Sequence, residues 1–169
     1  HGYIDTILGI NKQLKNKKLN PMKFTKSNKF KLKNMYYPNL KNPVKNNIDI
    51  SKNHIITGPN AAGKTTLIKS SIINLLISQQ IGVGYFDKGT SGTFKHIHCY
   101  LNIPDSCSRD SLFQAEARRC KNIIDIIDSC DKKERHFCIF DELYSGTNPS
   151  EAIASAYAFI KYINNNPNC

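Results

Sequence analysis

The sequence has 169 residues, of which 40% are hydrophobic and 22% charged, and these proportions indicate one folded domain rather than a disordered chain. No apolar run reaches the roughly 18 residues of a membrane-spanning helix, and the first residues do not form a secretory signal. The net charge of +11 is uneven, because residues 1–50 carry 11 Lys against Asp5 and Asp49. This basic segment predicts either a DNA-binding arm or an ordinary solvated surface.

The six cysteines are spaced so that no two form a C-x-x-C pair. The spacing excludes a zinc ribbon and a thioredoxin-like redox motif. We therefore expect free thiols, which are typical of a protein in a reducing, intracellular compartment.

The N-terminal half of the chain predicts a connector, two strands and a long helix. Residues 1–34 form a basic connector or the end of a preceding domain, and residues 35–169 form the main domain, which we expect to be incomplete at its C-terminus, with the chain cut at both ends. Alternation at Ile48 and Ile50 indicates a short strand, and residues 53–57 indicate a second. Apolar residues at three- and four-residue steps predict a helix from Lys64. A short strand is expected at Tyr85-Phe86, among glycines.

The C-terminal half predicts strands that alternate with helices. A strand over residues 94–101 precedes a turn at 105–110, and Ser111 or Asp110 caps a helix that runs to Ser129. A turn at 131–134, a buried strand at 136–140 and a helix over 150–163 complete the chain. This order predicts an α/β domain with a mainly parallel sheet flanked by helices.

The segment from Gly58 to Thr65 is a complete phosphate-loop motif, G-x-x-x-x-G-K-T, between a predicted strand and a predicted helix. Gly58 and Gly63 allow the backbone to turn so that its N–H groups surround phosphates. Lys64 supplies a cation, and the Thr65 hydroxyl is suited to Mg²⁺. The following helix adds its positive N-terminal dipole. The sequence therefore predicts a P-loop NTPase.

Two acidic residues follow the predicted strand at residues 136–140 directly. Asp141 is expected to hold Mg²⁺ through water, and Glu142 to polarise the water that attacks the γ-phosphate. No N-K-x-D stretch for reading guanine occurs, so the small GTPases are excluded.

Three segments together resemble the ATPase domain of MutS-family DNA mismatch repair proteins. Residues 57–66 read TGPNAAGKTT, similar to the family's T-G-P-N-x-x-G-K-S/T-T loop. Residues 140–147 read FDELYSGT, similar to its D-E-x-x-x-G-T segment, and residues 111–116 read SLFQAE, similar to its S-T-F-x-x-E signature. All three occur in the family's order.

The resemblance implies an ABC-type ATPase fold and a dimer, homo- or heteromeric, that holds ATP between subunits and acts on mismatched DNA. Glu142 would be the catalytic residue, Thr65 and Asp141 would hold Mg²⁺, and Ser111 would reach the nucleotide of the partner in trans. The residues expected to bind ATP in cis are Gly58, Pro59, Asn60, Ala61, Ala62, Gly63, Lys64, Thr65 and Thr66.

The chain also departs from the family pattern. Leu112 replaces the threonine of the signature, residues 108–111 lack its usual glycine, and Tyr144-Ser145 replaces a common Gly-Arg. These departures and the Lys/Asn/Ile-rich composition resemble divergent relatives of large DNA viruses. Two other functions stay open: another ABC-type DNA-repair ATPase, and a nucleotide-gated scaffold with negligible hydrolysis.

Overall fold

The computed structural model describes residues 2–101, 111–167 and 169, and it divides the chain into two compact units. The first unit ends at Thr93 and the second begins at Phe94. The elements of the first unit are α1 (Gly2–Lys15), β1 (Asn20–Phe24), β2 (Phe30–Met35), β3 (Asn46–Ile50), α2 (Lys64–Ile81), β4 (Val83–Gly84) and β5 (Lys88–Ser91). Those of the second are β6 (His96–Tyr100), α3 (Leu112–Ser129), β7 (His136–Phe140) and α4 (Pro149–Asn164).

The first unit contains a five-stranded sheet in the order β3-β2-β5-β1-β4. Only β1 and β5 pair in parallel, and the other three pairs are antiparallel. The prediction of a mainly parallel sheet is therefore wrong for this unit, where the sheet is mixed. The physical reason is connection length: the short links from β1 to β2, from β2 to β3 and from β4 to β5 reverse the chain direction, whereas the parallel pair of β1 and β5 needs a long connection, which here runs through β2, β3, α2 and β4.

Helix α2 packs its buried face toward the apolar core of this unit. Ile68, Ile72 and Leu75 lie on that face, and Phe30 and Phe86 are fully buried in the same unit. Helix α2 ends at Ile81, and its C-cap residue is Gly82, whose φ of 76° is left-handed.

Asn74 is a fully buried polar residue on α2, and its hydrogen bonds are satisfied. Its Nδ2 donates to the carbonyls of Ser70 and Tyr36, and its Oδ1 accepts from the Tyr85 N–H at 2.6 Å. These bonds tie the helix to the segments that flank the sheet.

Two predicted strands of this unit are not formed. Residues 53–57 are irregular and Ile55 is 84% exposed. An apolar extended segment becomes a strand only when neighbouring strands satisfy its backbone groups, and none of the described strands pairs with this one. At Tyr85-Phe86 the chain bends, and the flanking segments β4 and β5 are the strands instead.

The second unit follows the predicted β-α-β-α order. Strands β6 and β7 pair in parallel from His96↔His136 to Tyr100↔Phe140, with α3 as their crossover. Helix α4 begins after Asn148, whose side chain accepts from the Glu151 N–H, and has a proline in its first turn. The core of this unit combines residues from a strand, the turn after β7 and both helices: Tyr100, Cys120, Ile123, Ile127, Tyr144, Phe159 and Ile163.

Among the described residues no helix is long and apolar enough to cross a membrane. The cysteines that the structure describes are free thiols. The predicted turn at 105–110, including the alternative cap Asp110, lies outside the described residues, and the domain boundary after residue 34 stays a prediction.

Candidate nucleotide-binding site

The phosphate-loop segment is an exposed turn that leads directly into α2. Residues 58–63 are exposed, and the backbone is left-handed at Ala61 (φ 59°) and Gly63 (φ 89°). The Ala62 N–H donates to the Pro59 carbonyl at 3.3 Å, which closes the turn. Glycine adopts a left-handed φ without steric cost, so the second glycine of the motif lies where the backbone requires it.

The N-terminus of α2 carries no side-chain cap. Its N-cap residue is Gly63, which offers no side-chain acceptor, whereas α3 and α4 are capped by Ser111 and Asn148. The first amide groups of an α-helix lack partners within the helix, and the helix dipole makes that end positive. An 18-residue helix that begins in this way has the chemistry of an anion-binding site.

The Lys64 side chain folds back over the loop. Its Nζ donates to the carbonyls of Gly58 and Pro59 at 2.8 and 2.9 Å. An ammonium group has three protons, so these two bonds fix the cation above the turn and use two of them. Thr65 follows in the first turn of α2 and is half-buried, while the flanking Asn60 and Thr66 are exposed.

The carboxylate pair follows β7 in the second unit, as the sequence predicts. The Asp141 N–H donates to the Tyr100 carbonyl at 2.9 Å and so extends the pairing of β6 and β7 by one bond. Asp141 is half-buried, and Glu142 is exposed with a left-handed φ of 49°. A non-glycine residue in this region costs on the order of 1–3 kcal/mol and is held there by surrounding contacts.

Glu116, on α3, binds the backbone of the same turn three and four residues after Glu142. It is 2% exposed, and its carboxylate accepts three hydrogen bonds, from the Ser145 N–H at 3.0 Å, the Ser145 hydroxyl at 3.1 Å and the Gly146 N–H at 3.2 Å. The sequence placed Glu116 in a family signature but gave it no role. An acidic residue on the apolar face of a predicted helix was the available signal, since such a residue needs partners.

A close backbone approach accompanies this carboxylate. A Cβ on Gly146 would lie 2.6 Å from Leu112 Cγ, so only glycine lets the first turn of α3 meet the turn after β7. Tyr144 is buried in the same unit, with its ring centroid 5.6 Å from that of Phe113. Burial raises the pKa of Tyr144, and burial and the neighbouring Glu116 raise the pKa of Tyr100.

Tyr144 has a left-handed φ of 57°. This is the position where the family commonly has glycine, and the backbone conformation gives the physical reason for that preference. In this chain the burial of the tyrosine ring offsets the strain.

Ser111 is the N-cap of α3. Its hydroxyl oxygen accepts from the Gln114 N–H at 3.3 Å, and the Gln114 Oε1 accepts from the Ser111 N–H at 3.1 Å, which is a complete capping box. Within the second unit the structure thus joins the helix of Ser111 to the turn of Asp141 and Glu142. The phosphate loop belongs to the first unit.

Comparison with known proteins decides the family. The MutS domain V family model matches residues 54–169, which is more than half of the chain. The chain belongs to the MutS family. The match begins just before the phosphate loop and includes the signature helix and the carboxylate pair, so it confirms the resemblance drawn from the three motifs.

Individual relatives agree with this assignment. The chain is 36% identical over 130 residues to the DNA mismatch repair protein MSH3 of Scheffersomyces stipitis, covering 73% of this chain and 12% of the relative. It is 31% identical over 140 residues to the DNA mismatch repair protein MutS of Persephonella marina (78% and 16%), and 29% identical over 153 residues to Endonuclease MutS2 of Staphylococcus haemolyticus (84% and 19%). The chain spans less than a fifth of the length of these relatives. The relatives are fungal and bacterial, so the viral source suggested by the composition has no support.

We expect that Glu116→Ala lowers the free energy of unfolding by about 2 kcal/mol, because two backbone N–H groups and a hydroxyl lose a charged acceptor. Glu116→Gln should also lower the free energy of unfolding, but by less than Glu116→Ala, since an amide has one acceptor oxygen in place of two. Urea unfolding followed by circular dichroism measures both.

Asp125→Asn is the matched control for these variants. It removes a carboxylate from the same helix, but from an exposed i,i+4 pair with Lys121, so its effect should stay within about 0.5 kcal/mol. Equal effects of Glu116→Ala and Asp125→Asn would show that the Glu116 contacts do not hold the turn.

Proposed function

We propose that this chain is the ATP-binding and ATP-hydrolysing part of a MutS-type DNA mismatch repair protein. The observation that supports it most is the N-terminus of α2, an uncapped 18-residue helix preceded by an exposed turn with Lys64 folded over it. Backbone N–H groups, a helix dipole and one cation converge there, which is the donor set that a nucleotide's phosphates need.

In this proposal the loop from Gly58 to Thr66 surrounds the phosphates of ATP. Thr65 and Asp141 would hold Mg²⁺, and their hydroxyl and carboxylate oxygens are the hard ligands that this ion prefers. The ion would neutralise phosphate charge when bound. The residues of the chain contribute orientation and electrostatic stabilisation.

Glu142 would orient and polarise the attacking water. Its carboxylate is exposed, and its backbone has a strained, left-handed φ. Glu116 stabilises the turn that contains this residue by accepting hydrogen bonds from the Ser145 and Gly146 N–H groups. A base that must align with an incoming water gains from such fixed positioning.

Two partners belong to the proposal. A second ATPase domain, from an identical or a different protein, would place its Ser111 against the nucleotide. As an N-cap, the Ser111 hydroxyl accepts a hydrogen bond through its oxygen and can still donate its proton. Mismatched DNA would be the other partner, with the basic segment of residues 1–50 as one candidate contact.

Lys64→Ala should weaken ATP binding at least about tenfold, because the loop loses its cation. Calorimetric titration of the full chain measures this. Lys69→Ala, five residues along the same helix, is the matched control and should leave the affinity unchanged. Equal affinities of the Lys64→Ala protein and the unsubstituted chain would remove the phosphate-loop assignment.

Glu142→Gln should keep ATP affinity and lower steady-state turnover by roughly 10²-fold, because an amide does not act as a base. Phosphate release under saturating ATP measures turnover. Strong ATP binding with the same negligible turnover before and after the substitution would instead favour the nucleotide-gated scaffold.

Ser111→Ala should weaken the ATP-dependent association of two ATPase domains while monomeric ATP affinity stays nearly constant. The reason is that the partner's nucleotide would lose a hydroxyl donor. Sedimentation in a Glu142→Gln background, with and without ATP, measures association.

Ser111→Gly separates this role from capping. Glycine at an N-cap position costs on the order of a few tenths of a kcal/mol of helix stability, against roughly 1 kcal/mol for alanine, and it has no side-chain donor. If the Ser111→Gly protein associates as fully as the unsubstituted one, Ser111 acts only as a cap.

A further inference from the structure

Three histidines form a stack on one face of the β6–β7 pair. The parallel register places His96 directly beside His136, and His98 follows two residues along β6 on the same face. The ring centroids of His96 and His136 are 4.6 Å apart, and those of His98 and His136 are 5.3 Å apart, with nearly parallel planes. The predicted nucleotide chemistry uses none of these side chains.

The end of α3 brings a thiol and a carboxylate to the same place. Cys130 is the C-cap residue of α3, and its Sγ lies 3.3 Å from the His96 Nε2. Glu134, in the turn that follows, has its Oε2 2.7 Å from the same nitrogen, and its Oε1 pairs with Lys95. One ligand atom from each of His96, Cys130 and His136 lies within 4.8 Å of the other two.

One nitrogen of His136 is buried without a hydrogen-bond partner among the described residues. His136 is 2% exposed, and its Nδ1 pairs with the His98 Nε2 at 3.0 Å while its Nε2 has none. Buried polar atoms without partners are rare because they lose hydration without replacement. In the tautomer whose Nδ1–H donates to the His98 Nε2, this nitrogen carries a lone pair, which next to a thiol and a second imidazole is suited to a metal ion.

We propose that His96, Cys130 and His136 bind a divalent transition metal of the zinc class, with Glu134 as the fourth ligand. Two imidazoles and a thiolate are ligands that zinc accepts and that magnesium does not favour, and zinc also accepts a carboxylate, so this site differs from the proposed nucleotide site. Zinc bond lengths imply edges of roughly 3.5 Å in a tetrahedron, close to the 3.3 Å His96–Cys130 separation. His136 would need to approach the other two ligand atoms by up to about 1 Å, and the Glu134 carboxylate, now 2.7 Å from the His96 Nε2, would need to shift away from that nitrogen.

His98 is a positioning residue in this site. Metal-binding histidines usually hydrogen-bond through their second nitrogen, and the His98–His136 contact supplies that bond. On binding, the Cys130 thiol releases its proton to solvent as its sulfur bonds to the metal, and the proton on the His96 Nε2, which is donated to the Glu134 carboxylate, moves to Nδ1 so that Nε2 can bind the metal. The ion would then join the C-terminal end of α3 to β6 and β7.

Cobalt(II) titration of the full chain, reduced and freed of metal with a chelator, tests the proposal. We expect one equivalent to bind with visible d–d bands of tetrahedral intensity and a thiolate-to-cobalt charge-transfer band, and zinc to displace it. Cys130→Ser should abolish the charge-transfer band and weaken binding at least about tenfold. Cys99→Ser, which removes a thiol from β6, is the matched control and should keep both.

Two further variants test the roles of the histidines. His136→Gln should weaken cobalt binding like Cys130→Ser, and His98→Gln should weaken it by about 10- to 100-fold while the charge-transfer band survives at saturation. Circular dichroism of each metal-free variant checks that it is folded. The proposal is overturned if the unsubstituted chain binds no cobalt, if no thiolate band appears, or if the band persists in folded Cys130→Ser protein.

Discussion

Glu116 is a charged side chain that the fold removes almost completely from water, and three hydrogen bonds from Ser145 and Gly146 compensate for that loss. The carboxylate belongs to α3 and its hydrogen-bond donors belong to the turn after β7. If the helix and the turn moved apart, the buried carboxylate and the N–H groups of Ser145 and Gly146 would lose their hydrogen bonds. This interaction links the helix that begins at Ser111 to the turn that carries Glu142.

The backbone of the turn depends on the same constraint. Glu142 and Tyr144 both have left-handed φ values, which non-glycine residues avoid in the absence of stabilising contacts. The hydrogen bonds to Glu116, the contact of Gly146 with Leu112 and the burial of the Tyr144 ring together hold this conformation. The departures from the family pattern at Leu112 and Tyr144 therefore lie in one packed region rather than at independent positions.

The histidine and cysteine cluster shows a different consequence of topology. The cysteine spacing excluded a zinc ribbon, because no two cysteines form a C-x-x-C pair. The cluster instead joins His96 to Cys130 and His136, which lie more than 30 positions further along the chain, through a parallel strand register and the end of the crossover helix. Such a juxtaposition arises only after β6 and β7 pair, so no local pattern contains it.

The sequence by itself determined the motifs, the family and the elements of the second unit: the cap and length of α3, the strand before Asp141 and the helix after Pro149. In the first unit it determined the phosphate loop, α2 and the strand at Ile48 and Ile50, but not α1, β1, β2, β4 or β5. These features depend on local physics, namely side-chain periodicity, capping chemistry and glycine placement. Tertiary structure alone decided that residues 53–57 form no strand, that the first sheet is mixed, that Glu116 holds the turn, and that three histidines stack beside Cys130. Each of those depends on which distant segment supplies a backbone or side-chain partner, and partner choice is a property of the whole fold.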